Sequence, residues 1–209
     1  MNTVRSVSGV AAHVAGAPVT VADVDRREAL LRTQMPEATL PLAGTSEGRQ
    51  LRRWLTQLIV TERVVAAEAA RLGVAPGQAP DLAAILPDGI AGHEVGSVTA
   101  AALADPVARA LFAHVTRDVT VSAEDVESYH RRNPLRFAVG RPGVDGWEAT
   151  PTAPPLSQVR AVVAAHLLGA ARRRAFRLWI EELRSELVCL APGFEHPGDP
   201  RQPDNIHRH

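Results

Sequence analysis

Apolar positions recur every three to four residues over most of this chain, and that period predicts a helical protein. The longest such stretch, residues 157–188, reads SQVRAVVAAHLLGAARRRAFRLWIEELRSELV. Val159, Val162, Val163, His166, Leu167, Phe176, Trp179, Ile180, Leu183 and Leu187 make its predicted buried stripe. Arg172, Arg173, Arg174, Arg177, Glu181, Glu182 and Arg184 make its predicted solvated face. A helix of that length spans roughly 45 Å, more than one small domain needs, so it must pack on other parts of the chain or on a second copy as a homodimer.

The rest of the chain predicts elements that could supply those partners. Residues 10–14 (VAAHV) read as a short strand, with Gly16 and Ala17-Pro18 as the turn that follows. Thr20 predicts the N-cap of a helix running to Met35, with Asp23 and Asp25 in its first turn. A second helix is expected from Ser46 to Leu72, with Ser46 as its cap and Gly73 as its stop. Its stripe is Leu51, Leu55, Leu58, Ile59, Glu62, Val65, Ala66, Ala69 and Leu72. Residues 75–98 are rich in Gly and Pro and predict a surface excursion with one helical turn near residues 82–86. A third helix is expected over residues 100–117, with a restart or kink at Asp105-Pro106, and a fourth from Ser122, with Asp125 completing its capping box, to Asn133-Pro134. Residues 138–155 read as a second irregular connection, and residues 191–209 as a tail rich in Pro and His. The fold class is therefore mainly α, one domain over residues 1–190, with a short N-terminal strand at most.

Composition narrows the chemistry. With 209 residues and 45% hydrophobic content, the chain can bury a core without staples. Formal charge is zero, which argues against a nucleic-acid or anionic-membrane partner. Every one of the 23 basic residues is Arg, so Schiff-base and phosphate-loop lysine chemistry is excluded. The single Cys189 fits a reducing compartment. No apolar run approaches a membrane span, and the first sixteen residues lack a cleavable leader pattern, so the expected location is cytoplasmic.

Several residues could carry chemistry. Gly44-Thr45-Ser46-Glu47-Gly48 fits the G-x-S-x-G nucleophile elbow, but no strand precedes it, and Ser46 reads as a helix cap in preference to a catalytic serine. His166 and Tyr129 are the other catalytic candidates; His166, with His13 and His130, reads rather as a hydrogen-bonded core histidine, and Tyr129 as packing under the Asn133-Pro134 turn. The tail offers His196, Asp199, His207 and His209, with Glu195, Asp204 and Cys189 nearby, a set suited to a divalent transition metal but matching no zinc-finger spacing. The alternatives are a solvated or loosely docked tail, and one docked across the helices through Phe194 and Ile206. Trp54, Trp179 and Phe176, with Trp147, are candidates to line an apolar groove, against a plain core role.

Three ordered segments resemble the SurA/PrsA/trigger-factor chaperone domain. VAGAPVTVADVDRREALLR is similar to its opening strand, turn and Asp-capped helix; LTQLIVTERVVAAEAARLGV to its next helix; and VSAEDVESYHRRNPLRF to the lead-in ending Asn-Pro-x-x-Phe. The long terminal helix resembles the family's return helix, which packs on the N-terminal helices. In that family a parvulin prolyl-isomerase domain of roughly a hundred residues separates Asn-Pro-x-x-Phe from the return helix. Here only residues 138–156 intervene, so the isomerase residues have no positions to occupy and isomerase activity is expected to be absent. The resemblance implies a non-catalytic chaperone-like scaffold with a groove for an apolar peptide or partner. The alternative is a small tailoring enzyme of bacterial secondary metabolism acting on an aromatic or polyketide-like molecule, metal-dependent through its tail.

Overall fold

The computed structural model describes residues 9–36, 39–138 and 152–199. It is mainly helical: α1 (Val21–Gln34), α2 (Ser46–Leu72), α3 (Leu82–Ile85), α4 (Gly89–Val95), α5 (Ser97–Ala102), α6 (Pro106–Val115), α7 (Ala123–Arg132) and the long α8 (Leu156–Leu187). Trp147 and most of the second connection, like Asp204, Ile206, His207 and His209, lie outside the described residues.

Helix boundaries follow local chemistry. Thr20 accepts from the Asp23 amide at 3.1 Å while the Asp23 carboxylate accepts from the Thr20 amide at 2.8 Å, a complete capping box. Ser122 and Asp125 repeat the device on α7. At α2 the cap is Thr45, not Ser46: Thr45 has extended backbone and its Oγ1 accepts from the Gly48 amide at 3.0 Å, which leaves Ser46 as the first helical residue. The G-x-S-x-G pattern has a structural account at both ends. Gly44 takes φ +83°, and a Cβ on Gly48 would collide with the Leu42 carbonyl. Asp105 caps α6 with Pro106 inside its first turn, so of the two alternatives at Asp105-Pro106 the chain takes the restart, giving two helices, α5 and α6.

A small sheet replaces the lone strand. Strands β1 (Val10–Val14), β2 (Ala17–Thr20) and β3 (Val188–Leu190) pair antiparallel in the order β2-β1-β3. Ala15 and Gly16 both have positive φ, as a two-residue hairpin turn demands, so Ala17-Pro18 is strand and not turn. Pro18 is tolerated because β2 is an edge. Between the predicted helix and the predicted tail, β3 pairs His13 with Cys189, and the Ala191 amide donates to the Ala11 carbonyl at 2.9 Å. The ladder supplies backbone partners that the Pro- and Gly-rich composition does not preclude. His13, read as a core histidine, is exposed on this sheet.

The central element is α2 rather than α8. Residues 55–61 of α2 are buried on every side, since α1, β1, α5, α6 and α8 all pack on it. Ala66 is the one predicted stripe position of α2 that is exposed. Glu62 is partly buried and paired with Arg27 of α1; burial, working against that arginine, holds its carboxyl above the ordinary range. Arg52 adds two more ion pairs to α1, with Asp25 at 2.6 Å and Glu28 at 2.7 Å. One continuous cluster joins Val14, Val24, Leu55, Val60, Leu103, Leu111, Phe176 and Ile180, so both ends of the chain share a core.

The return helix departs from expectation in its partners. Trp179 and Leu183 pack on the core cluster, but α8 meets chiefly α4 and α7, then α2, and α1 is not among its main neighbours. Helix α4 comes from the Gly- and Pro-rich stretch 75–98, which reads from sequence as a surface excursion with one helical turn near residues 82–86. Asp88 caps it, accepting from the Ala91 amide at 2.8 Å, and Ala91 and Val95 are buried. Val162, placed in the buried stripe, is 56% exposed.

Candidate functional site

A cleft of about 510 Å³ opens where α8 leaves the core. Ala165, Leu168, Gly169 and Arg172 of α8 form one wall, Phe112 and Ala113 of α6 with its C-cap Thr116 the other, and Ala84 and Ile85 of α3 an end. Its lining is mostly apolar, with Arg117 and Arg172 as cations among it. Phe112 at its base meets Phe176 edge-on at 5.2 Å between ring centres, and Phe176 stacks on Trp179 at 5.5 Å. The three groove residues expected from sequence are therefore not its lining. Phe176 is fully buried beneath the cleft, Trp179 is packed on the core, and Trp54 sits on α2 with its indole N–H 3.4 Å from the Ser97 hydroxyl.

Arg173 holds the cleft's frame. Predicted as solvated, it is 5% exposed: Nε donates to Glu94 Oε2 at 2.6 Å and Nη1 to the Ile85 carbonyl at 3.0 Å, tying α3 and α4 to α8. A Cβ on Gly169 would lie 3.1 Å from Nη1 of Arg173, so the single glycine of α8 makes room for this guanidinium. A glycine inside a helix costs about 1 kcal/mol against alanine, which the paired and hydrogen-bonded arginine offsets.

Nearer the start of α8, Tyr129 and His166 meet. The phenol oxygen is 3.1 Å from His166 Nε2, and Phe137 closes the cluster, its ring centre 6.3 Å from Tyr129 and 5.9 Å from His166. The Asn133-Pro134 turn brings Phe137 there, with the Asn133 amide side chain donating to the Tyr129 carbonyl at 3.0 Å. Burial first, then the charges of Arg136 and Arg173, hold the His166 imidazole below its ordinary range, against the opposing carboxylates of Glu94 and Asp88. The contact holds the phenol and the imidazole together at hydrogen-bond distance, with donor and acceptor set by the imidazole tautomer. His130 is used structurally, 2.9 Å from the Pro154 carbonyl just before α8.

Ser46 is distant in sequence and role from these groups, lying in the first turn of α2. In the tail, His196 Nδ1 accepts from the Gly198 amide at 3.0 Å, and the Asp199 amide donates to the His196 carbonyl at 2.9 Å. Among the described residues no group of three or more His, Cys, Asp and Glu is placed to hold a metal; half of the expected ligand set lies outside them. The first part of the tail does dock: Gln57 donates to the Phe194 carbonyl at 2.9 Å and Arg53 to the Gly193 carbonyl at 3.2 Å.

Sequence reasoning missed one polar seam. Arg184 of α8 donates to Gln57 Oε1 and Thr61 Oγ1 of α2, and Gln57 and Thr61 are fully buried. The visible signal was Thr56-Gln57 and Thr61 set inside the apolar run LTQLIVTE, polar positions that only a partner could satisfy.

A family of unknown function (DUF7158) matches residues 10–47, which span β1, β2, α1 and the start of α2. No curated protein and no solved structure matches the chain. Among the described residues no helix is long and apolar enough to cross a membrane.

Proposed function

We propose that this chain is a non-catalytic, chaperone-like binding protein of the SurA type, receiving an apolar peptide or partner helix in the cleft between α6 and α8. The observation that carries this reading is the cleft itself, an apolar concavity with Arg117 and Arg172 among its lining, where a peptide's hydrophobic side chains would be buried and its acidic flanks paired. Phe112 and Phe176 beneath it are buried in the core, so the groove floor is formed before a peptide arrives and less ordering cost falls on the receptor. Ala165 is exposed on the wall, and Ala165→Trp should fill the groove without touching the core. Titration of a fluorescent apolar peptide with acidic flanks tests the reading: binding by the parent and loss in the variant are expected. Equal binding by both, or none by the parent, would discard it.

A second reading, the small tailoring enzyme, draws on the Tyr129–His166 pair. It requires that an aromatic small molecule shift the His166 imidazole resonances and that Ala165→Trp leave this shift intact. A shift abolished by Ala165→Trp would return the ligand to the cleft. Metal analysis of the protein with and without residues 194–209 tests the metal-dependent form of this reading.

A further inference from the structure

A second, smaller cleft of about 300 Å³ lies on the other end of α8, where the helix passes α4, α5 and the docked tail. Arg177 and Arg184, seven residues apart and so on one face of the helix, line it together with His196 and Thr99. Arg184 reaches into the protein, and the acceptors it meets there are neutral: the side chains of Gln57 and Thr61 and, at 3.4 Å, the Gln57 carbonyl. Its charge is thus carried into a partly buried setting with hydrogen bonds but without a bonded carboxylate. Such a charge is costly, and the Glu181 carboxylate at the cleft rim offsets part of that cost from a distance, leaving two arginines to one acid in the cleft. The buried Nε of Arg177 has no hydrogen-bond acceptor, and the Glu181 carboxylate stands 3.9 Å from it, too far for one.

We infer that this cleft binds an oxyanion of the phosphate class, free or as the monoester of a small molecule, between Arg177, Arg184 and His196. Donors arrive from α8 on one side and from the tail on the other, which suits a tetrahedral anion with several acceptor oxygens better than a planar carboxylate. The cleft is also larger than one anion fills, leaving room for a small organic remainder. Glu181, exposed at the rim and lining the same cleft, is the one acidic side chain among its lining residues, and Asp199 faces His196 from within the tail. The surrounding protein first, and the Arg184 charge second, hold the His196 imidazole below its ordinary range against Asp199.

The inference is independent of the apolar cleft, and its test uses the full chain. Inorganic phosphate, glycerol phosphate and acetate are titrated in turn at constant pH while the backbone amide resonances of Ser97, Thr99 and Arg177, which line the cleft, are followed. Phosphate and glycerol phosphate should shift these resonances saturably. Arg177→Gln should weaken that affinity roughly tenfold or more. Arg174→Gln, exposed elsewhere on α8, should leave it unchanged, as should Ala165→Trp. Arg184→Gln removes contacts to α2 and can unfold the protein, so Arg177→Gln carries the decision. Tighter binding of one phosphate probe than the other tells free anion from monoester. No saturable shift at millimolar phosphate, equal affinity in Arg177→Gln, or acetate binding as tightly as phosphate would overturn the proposal.

Discussion

The two ends of α8 are built from the same kind of sequence and held in different ways. From Phe176 onward the helix is anchored by burial: Phe176 and Ile180 are fully covered, and Arg184 reaches across into α2. In the first half only Val163 is buried, and the helix is held by the Tyr129–His166 hydrogen bond, the Phe137 ring and an exposed pair between Arg160 and Glu127 at 3.0 Å. One half is fixed by the hydrophobic effect, the other by a few directed contacts that contribute little each. The apolar cleft sits at the changeover, around Leu168 to Arg173, where packed helix gives way to a projecting arm.

Mutations should separate the two halves by size of effect. Phe176→Ala removes a fully buried ring with two aromatic neighbours and should cost about 3–5 kcal/mol, read as the shift of a urea midpoint. Hydrogen exchange should then rise in α2 and α6 as well as α8; opening confined to α8 would mean that the two ends of the chain do not share one cooperative core. Glu94→Gln leaves Arg173 buried with a weaker acceptor and should cost about 1–3 kcal/mol, less than the ring because the Ile85 carbonyl still accepts. If that variant binds the fluorescent peptide unchanged, the pair frames the cleft without shaping it.

The projecting half should respond far less. Tyr129→Phe deletes one partly buried hydrogen bond and should cost about 0.5–1.5 kcal/mol. A cost as large as that of Phe176→Ala would erase the distinction between the halves. The smallest effect is a pH dependence. Because the folded protein holds His166 below its ordinary 6.5, the unfolded chain takes up the proton first as pH falls. The stabilising contribution is whole above pH 6.5 and is lost as pH drops from there toward the folded value. Stability curves of the parent and His166→Gln should therefore converge on acidification. His196 shifts in the same direction, so some pH dependence should survive in the variant.

Much of this architecture was legible because it is decided within a few residues. Thr20 with Asp23, Ser122 with Asp125, and Gly73 with its left-handed backbone set helix ends through groups three or four positions apart. The helical period marked α1, α2, α7 and α8 for the same reason. The Thr45 cap was displaced by one position because Ser46 is an equally good acceptor in isolation, and only the path of the chain past Leu42 and Gly48 chooses between them.

What the tertiary structure alone decided are pairings across long separations. Arg173 reads as surface until Glu94, 79 residues away, is brought beside it. Residues 188–190 read as the fraying end of the long helix until β1 offers an unpaired edge, and α4 reads as loop until the flank of α8 covers it. The residues of the two clefts fall mainly in this second class: Arg172, Arg177 and Arg184 read as a solvated face, and His196 reads as a metal candidate among its tail neighbours, until the fold sets Arg184 beside it. Local hydrogen bonding and periodicity act along the chain and can be read there, whereas burial of a charge is a property of the surrounding volume, which exists only after folding.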